Sequence, residues 1–314
     1  MGVSKPGDFC IDVVMETAET LIVAIDGGGT RCRIVAQVGS DRTMVETGSA
    51  NVSSDFAAAM RQIDLGLNGL ARRLDVSMET LASVPAYVGL AGVTGTAIAE
   101  RVRMALPFRQ ARVEDDRVAA VRGSLGARDG VIAHCGTGSF FAAQSGTKIR
   151  LMGGWGPVLG DEASAQWVGR RALSYTLDHV DGRRPASALA ERLLAQFKDA
   201  AGIVAFASTA RPAQLGALAP LVTASAMEGD ALARRIMQDG AQEIDRAVRD
   251  LDWRIGQPLC LTGGIGSLYA EFLPADLRTA LTDPAGEPLD GALALAEAYA
   301  REIALPGPEA RQVR

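Results

Sequence analysis

The chain has 314 residues, a mass of 32.8 kDa and a net charge of −5, from 32 basic and 37 acidic side chains. With 48% hydrophobic residues it can bury a full core, and its length suits two domains. The mild acidity and the lack of a basic tract argue against a nucleic-acid partner. The longest apolar stretches are strand-sized and no basic region precedes an apolar core at the N-terminus, so we predict a soluble cytoplasmic protein without a membrane partner.

Residues 1–19 show no clear period, and we predict an N-terminal extension there. The next segment combines an apolar strand, the turn Asp26-Gly-Gly-Gly-Thr30 and a second strand over residues 32–36. Glycines allow positive φ angles and close backbone approach, and their N–H groups can converge on an anion. Asp26 would repel a bare phosphate, which indicates a divalent cation between them. This first glycine turn therefore predicts a magnesium-nucleotide site, with a tight acidic hairpin as the alternative.

The following residues alternate strands and helices. Strands are predicted over residues 42–47, 86–90 and 111–115, and helices over residues 53–74 and 94–105. Ser53, Ser54 and Asp55 offer N-cap oxygens to the first of these helices. Three initial strands followed by alternating helices and strands are typical of an α/β fold.

A second strand-turn-strand segment occurs about a hundred residues later, around Gly136-Thr-Gly-Ser139. A third glycine turn, Thr262-Gly-Gly-Ile-Gly266, follows another apolar run. Neither a P-loop nor a complete dinucleotide fingerprint is present in these turns. Two facing hairpin turns and a later Gly-Gly turn are the arrangement expected when two similar domains close on one nucleotide.

The second half of the chain is predominantly helical. Helices are predicted over residues 162–179, 185–206, 215–227, 230–252 and 291–303, with a buried strand over residues 257–262. The cysteines have no C-x-x-C spacing, and we expect reduced, mostly buried thiols at Cys10, Cys32, Cys135 and Cys260.

The three glycine turns resemble the first phosphate, second phosphate and adenosine motifs of the sugar kinase, Hsp70 and actin superfamily. Four further segments appear in the expected order: Gly48-Ser-Ala-Asn51, Val88-Gly-Leu-Ala-Gly92, Glu114-Asp-Asp-Arg-Val-Ala-Ala120 and Gly153-Gly-Trp-Gly-Pro-Val-Leu-Gly-Asp-Glu162. On these segments the chain most resembles the N-acetylglucosamine kinase and glucosamine kinase branch of the BadF/BadG/BcrA/BcrD ATPase family, over roughly residues 20–303.

The resemblance implies two ribonuclease-H-like α/β domains with a nucleotide cleft between them. The first domain would comprise residues 20–118 together with a C-terminal helix over about 288–304, and the second would comprise residues 119–287. Hinges are expected near residues 116–125 and near residue 285. Relatives of this kind commonly form dimers, so a homodimer is also expected.

The resemblance also assigns roles to single residues. Asp116 would be the general base, and Asp26 would hold Mg²⁺, through water because that ion dehydrates reluctantly. ATP would contact Gly28, Gly29, Thr30, Gly136, Thr137, Gly138, Gly263 and Gly264. The sugar would contact Asn51, Asp116, Ser139, Gly154, Trp155, Gly156 and Asp161.

Simpler roles exist for several of these residues. Asp116 precedes an apolar helix and could serve as its N-cap, and Asp115 could share either role. The role of Asp161 and Glu162 could be limited to stabilising a helix N-terminus through its dipole. Trp155 could be a core aromatic residue.

The expected activity is ATP-dependent phosphorylation of an amino sugar hydroxyl, with the 6-hydroxyl as the first candidate acceptor. N-acetylglucosamine ranks ahead of glucosamine because it is the commoner substrate in the branch. Two other classes remain open. One is an activator ATPase that shares an iron–sulfur cluster between subunits, and the other is a sensor that binds a sugar without turnover.

Overall fold

The computed structural model describes residues 20–305, so the predicted extension over residues 1–19 lies outside the described part. Within the described part the chain forms two sheets, one of five strands and one of four. None of the helices in residues 20–305 is both long and apolar enough to span a bilayer.

The first sheet contains all the strands predicted before residue 116. Its strands are β1 Ile22–Gly27, β2 Cys32–Val38, β3 Asp41–Thr47, β4 Ala86–Leu90 and β5 Ala111–Asp115. The spatial order is β3-β2-β1-β4-β5, with β2 antiparallel to its neighbours and β4 and β5 parallel to β1. The carboxyl ends of β1, β4 and β5 therefore meet at one edge of the sheet, where α/β proteins usually bind ligands.

Four helices accompany this sheet: α1 Phe56–Leu74, α2 Met78–Ser83, α3 Thr96–Ala105 and α4 Asp116–Leu125. Among the three expected capping residues, Asp55 caps α1, and its side chain accepts a hydrogen bond from the N–H of Ala58. Helix α2 was not predicted because six residues are too few to show a helical period.

The second sheet repeats the pattern of the first. Its strands are β6 Gly130–Cys135, β7 Ser139–Ser145, β8 Lys148–Gly153 and β9 Leu259–Thr262, in the order β8-β7-β6-β9. β6, β7 and β8 form antiparallel pairs, and β9 lies parallel to β6. Strand β8 was missed because Lys148 and Arg150 make this edge strand partly polar and the segment runs directly into a glycine-rich loop.

The remaining helices are α5 Ala165–Val180, α6 Ala188–Phe197, α7 Ala200–Thr209, α8 Pro212–Gly216, α9 Ala219–Met227, α10 Ala231–Asp250, α11 Ala275–Thr279 and α12 Pro288–Ala304, with a 3-10 helix over Gly266–Phe272. The single helix predicted over residues 185–206 is wrong. Lys198 adopts a left-handed φ of +75° and Asp199 caps a new helix by accepting from the N–H of Gly202 at 2.8 Å. The helix predicted over residues 215–227 corresponds to α9, which begins later, at Ala219, because the short helix α8 ends at Gly216 and Leu218 is the N-cap residue of α9.

Three cysteines of the described part, Cys32, Cys135 and Cys260, are free and buried, as predicted. Cys10 lies outside the described residues. Burial raises the pKa of Cys32 and of Cys135 to about 12, so both thiols stay protonated at neutral pH.

Helix α12 returns from the second sheet and packs on the first, as expected. Its Ala292, Leu293 and Ala296 share a buried cluster with residues of β1 and β4. The same helix crosses α4 at very short range, because a Cβ atom on Gly291 would overlap the carbonyl oxygen of Ala119. Close contact between these two backbones depends on glycine at this crossing.

We expect Gly291→Ala to lower the free energy of unfolding by about 1 to 3 kcal/mol, the usual cost of overpacking a tight contact. A matched control is Gly216→Ala at the end of α8, where a new Cβ would lie 3.5 Å from Ala165 in ordinary contact. The control should stay within about 0.5 kcal/mol of the parent chain in urea unfolding. Equal stabilities of the two variants would contradict the close crossing.

Candidate active site

The edge where β1, β4 and β5 end carries three carboxylates. Asp26 on β1 lies opposite Gly89 on β4, and Leu90 lies opposite Asp115 on β5. Asp116 follows directly as the first residue of α4, and a Cβ on Gly89 would lie 3.4 Å from its Cα. The strand register therefore brings Asp26, Asp115 and Asp116 to one end of the first sheet.

Asp115 and Asp116 have different roles. Asp115 is the N-cap of α4, with its Oδ1 accepting from the N–H of Arg117 at 3.0 Å. The alternative that Asp116 caps this helix is therefore wrong. Burial, together with the neighbouring Asp115 carboxylate, raises the pKa of Asp116 to about 7. A carboxylate with a near-neutral pKa is suited to accept a proton at physiological pH.

Arg117 joins this edge to the second sheet. Its guanidinium donates to both oxygens of Asp115, from Nε at 2.8 Å and from Nη2 at 2.7 Å. Nη1 donates to the carbonyl of Gly153 at 3.0 Å and lies 2.5 Å from where a Cβ on Gly154 would stand. Sequence reasoning missed this contact, because Arg117 and Gly153 are 36 residues apart and no local pattern pairs them.

The first glycine turn, residues 26–31, is closed by a hydrogen bond from the N–H of Gly28 to the carbonyl of Arg31 at 2.9 Å. Gly29 and Thr30 are exposed, and a Cβ on Gly29 would have no heavy atom within 4 Å. The backbone N–H groups of Gly29 and Thr30 can therefore be reached by a ligand.

Asp26 keeps one carboxylate oxygen for such a ligand. Its Oδ2 accepts two bonds from Arg33, whereas Oδ1 has no protein partner in residues 20–305 and is not enclosed by protein. A single open carboxylate oxygen fits a divalent cation that retains most of its water.

The second glycine turn, residues 136–138, is held against the start of α5. The N–H of Ala165 donates to the carbonyl of Gly136 at 2.8 Å, and the N–H of Gly136 donates to the carbonyl of Gly138 at 2.9 Å. A Cβ on Gly138 would stand 2.7 Å from Oδ2 of Asp161, so a larger residue would displace that carboxylate. Thr137, at the tip, is exposed.

The third glycine turn, residues 263–265, packs directly on the second. Gly263 has a φ of +81°, and a Cβ there would overlap the backbone of Cys135. The N–H of Ile265 donates to the carbonyl of Cys135 at 3.1 Å. Gly264 is exposed and its Cβ would meet nothing within 4 Å, so this turn also presents open backbone.

Asn51 lies beside the first glycine turn, because the N–H of neighbouring Ala50 donates to the carbonyl of Gly28 at 3.0 Å. Its Oδ1 accepts from the N–H groups of Ser53 at 3.0 Å and Ser54 at 3.2 Å. The carboxamide is thereby fixed in one orientation, and its Nδ2 group is left to donate.

Asp161 and Ser139 occupy the corresponding position in the second half. Asp161 is buried, has a left-handed φ of +62° and accepts from the N–H of Gly156 at 3.2 Å. Burial raises the pKa of this carboxyl group. The hydroxyl of Ser139 is also buried and donates to the carbonyl of Glu162 at 2.6 Å. The left-handed conformation of Asp161 is one that non-glycine residues adopt infrequently, with aspartate among the more tolerant.

Trp155 is 71% exposed, so the alternative that it is a core aromatic residue is wrong. Gly154 and Gly156, on either side of it, both have positive φ angles. Val158 and Leu159 in the same loop are also exposed, and sequence reasoning did not single them out. An apolar loop thus stands beside Asp161 and within reach of Arg117.

Comparisons with known proteins find sugar kinases that are similar to most of this chain. The chain is 28% identical over 278 residues to the glucosamine kinase of Vibrio cholerae, covering 87% of this chain and 95% of that protein. It is 24% identical over 242 residues to the N-acetylmuramic acid/N-acetylglucosamine kinase of Clostridium acetobutylicum, covering 73% and 78%. The crystal structure of a candidate N-acetylglucosamine kinase from Chromobacterium violaceum superposes with a TM-score of 0.75 at 29% identity, over 89% of this chain and 99% of that one.

The fold is the two-domain α/β fold of the actin, sugar kinase and Hsp70 type, as the sequence predicted. Residues 23–284 match the family model whose description is the BadF/BadG/BcrA/BcrD ATPase family. This match covers most of the chain and includes all three glycine turns. The chain therefore belongs to the BadF/BadG/BcrA/BcrD ATPase family.

Proposed function

We propose that this ATP-dependent sugar kinase transfers the γ-phosphoryl group of ATP to the 6-hydroxyl of an amino sugar, with N-acetylglucosamine as the first candidate. The observation that carries the proposal is Asp116, a half-buried carboxylate with a pKa of about 7 at the strand edge beside the first glycine turn. The kinases among its relatives support the reaction class.

Asp116 would act as the general base. Phosphoryl transfer needs mainly in-line positioning and charge neutralisation, because the transferred group passes through a loose transition state. The sugar hydroxyl would donate a hydrogen bond to the Asp116 carboxylate and lose its proton to it as the oxygen attacks phosphorus. The near-neutral pKa allows this group to be ionised before attack and protonated after it.

The three glycine turns would bind ATP. The first and second turns would donate backbone N–H groups to the phosphates, with help from the hydroxyls of Thr30 and Thr137. Gly263 and Gly264 would let the adenosine lie against open backbone. We propose that Asp26 holds Mg²⁺ through water, where the ion would neutralise phosphate charge.

The amino sugar would lie between Asn51 and Asp161. The Nδ2 group of Asn51 can donate to one hydroxyl, and the Asp161 carboxylate can accept from others. The exposed ring of Trp155 can cover an apolar sugar face, flanked by the backbone of Gly154 and Gly156. Closure of this loop would exclude water, which otherwise accepts the phosphoryl group.

Glucosamine is the second candidate. The Vibrio cholerae relative that matches 95% of its own length is a glucosamine kinase, and residues 27–33 and 48–52 resemble such enzymes. The two sugars differ in charge and in an acetyl group, and hydrogen-bond geometry in a closed cleft decides between them.

An activator ATPase is less well supported. Such a protein needs accessible thiolates for an iron–sulfur cluster. Cys32, Cys135 and Cys260 are buried, and burial raises the pKa of the first two to about 12. These three side chains are poor cluster ligands.

We also propose the domain division given above, residues 20–118 with 288–304 and residues 119–287. The packing of α12 on the first sheet supports it. A homodimer and a cytoplasmic location, where ATP is supplied, complete the proposal.

The decisive measurement is ADP release with MgATP and N-acetylglucosamine, glucosamine, glucose, N-acetylmannosamine or no sugar. We expect the highest rate with N-acetylglucosamine and a product whose phosphorus signal couples to the protons on carbon 6. A faster rate with glucosamine would select the second candidate. ADP release that does not depend on sugar, or none at all, would exclude both and favour an activator or a sensor.

A further inference from the structure

Arg33 is a buried arginine held by two carboxylates. Its side chain is 9% exposed, and it lies directly opposite Asp26 in the antiparallel pair of β1 and β2. Nε and Nη2 donate to Oδ2 of Asp26 at 3.1 Å and 2.6 Å, while Nη1 donates to Oε2 of Glu287 at 2.6 Å. A guanidinium at this depth requires such partners, because an unpaired buried charge is strongly destabilising.

The two ion pairs differ in strength. The Asp26 side chain is only 13% exposed and receives two charge-assisted bonds, whereas the Glu287 side chain is 71% exposed. Exposed pairs contribute little because solvent screens them, and buried charge-assisted bonds are stronger. Arg33 therefore determines the orientation of Asp26 and leaves only its Oδ1 open.

Glu287 connects this pair to the expected hinge. It is the N-cap residue of α12, and its carbonyl would overlap a Cβ placed on Gly123 of α4. Helix α4 begins at Asp116, the proposed base. One guanidinium thus joins the carboxylate of the first glycine turn to the crossing of the two helices.

We propose that Arg33 is a positioning residue of the phosphoryl-transfer site. It holds Asp26 and connects it, through Glu287, to the crossing of α12 with α4, the helix that begins with Asp116. This inference rests on the proposed function. It assigns a role in the reaction to a residue that touches neither sugar nor nucleotide. Without Arg33, the relative position of the two catalytic carboxylates would relax, and the chemical step would slow more than sugar binding.

The test compares Arg33→Met with Arg42→Met. Arg42 also bridges the first sheet to α12, donating to Asp290 at 2.9 Å, but it has no contact with Asp26. We expect Arg33→Met to lower kcat by about 10- to 100-fold, as for other groups that orient a ligand-holding side chain, with KM for the sugar changed less than about threefold. Arg42→Met should keep kcat within about twofold of the parent chain, as expected for an exposed ion pair.

A second readout separates positioning from mere stability. MgADP should raise the melting temperatures of the parent chain and of Arg42→Met by similar amounts. The shift of Arg33→Met should be less than half the shift of the parent chain. In the absence of nucleotide, Arg33→Lys should melt at a higher temperature than Arg33→Met, but its kcat should stay low. An ammonium group cannot reproduce the planar guanidinium that donates to Asp26 and to Glu287 together. Equal kcat values for Arg33→Met and Arg42→Met, or full MgADP shifts in both, would overturn the inference.

The two proposals can fail separately. If the parent chain releases no ADP in the presence of any sugar, the proposed function fails, while the MgADP shifts still test whether Arg33 holds Asp26. If the parent chain is an active kinase and Arg33→Met is equally active, only the role of Arg33 is excluded.

Discussion

Asp116→Asn is expected to lower sugar-dependent ADP release by about 10² to 10⁴-fold, the usual contribution of a general base. Asparagine preserves the shape of the side chain and the start of α4, since Asp115 supplies the cap. It cannot accept the proton of the sugar hydroxyl. The measurement is kcat/KM at saturating MgATP, with Asp115→Asn as the matched control on the adjacent carboxylate.

The pH dependence provides an independent check. Because the pKa of Asp116 is raised to about 7, the base is protonated in acid, and kcat/KM should rise through that pH and level off above it. Asp115 contributes to this raised pKa by its negative charge. Asp115→Asn should therefore remain active with its midpoint moved to lower pH. If Asp115→Asn were inactive and Asp116→Asn active, Asp115 rather than Asp116 would be the general base.

The same raised pKa predicts that the inactive variant is the more stable one. Between the ordinary value of 3.8 and about 7, the unfolded chain ionises Asp116 while the native state keeps it protonated, so native stability falls as pH rises. Above about pH 7 the full cost of ionising this half-buried carboxylate is present. Asp116→Asn should melt at a higher temperature than the parent chain at pH 8, and the difference should vanish near pH 4.

Much of the local structure around the candidate site could be predicted from the sequence, because each part is formed by residues close together in the chain. Strands 86–90 and 111–115 were predicted to the residue. The first is a short apolar run, whereas the second alternates apolar and polar side chains before a pair of acidic residues. The glycine turns were found because they combine strand, turn and strand within a few residues. The position of Asp116 at the head of α4 follows from the same local order.

Other features depend on contacts that the sequence does not display. Lys198 takes a positive φ without being glycine, which explains why one predicted helix is two. Arg33 and Glu287 are 254 residues apart, so no periodicity could have paired them. The exposure of Trp155 depends on loop geometry, because a tryptophan is more often buried than exposed.

Gly263→Ala is expected to destabilise the protein by about 2 kcal/mol or more, because a left-handed conformation costs about 1 to 2 kcal/mol for alanine and the new Cβ also overlaps backbone. The overlap is with Cys135, the last residue of β6, directly before the second glycine turn. The third turn would have to lift from the second, so the affinity for ATP should fall together with stability. Chemical unfolding and calorimetric titration with MgATP measure the two effects.

Gly264→Ala separates nucleotide binding from folding at the neighbouring position. A Cβ at Gly264 meets nothing within 4 Å, so the free energy of unfolding should stay within about 0.5 kcal/mol of the parent chain. The added methyl group nevertheless enters the space proposed for the adenosine, and ATP affinity should fall several-fold. An unchanged affinity in stable Gly264→Ala would mean that the adenosine does not lie against this turn. Unchanged stability in Gly263→Ala would contradict the tight packing of the second and third glycine turns.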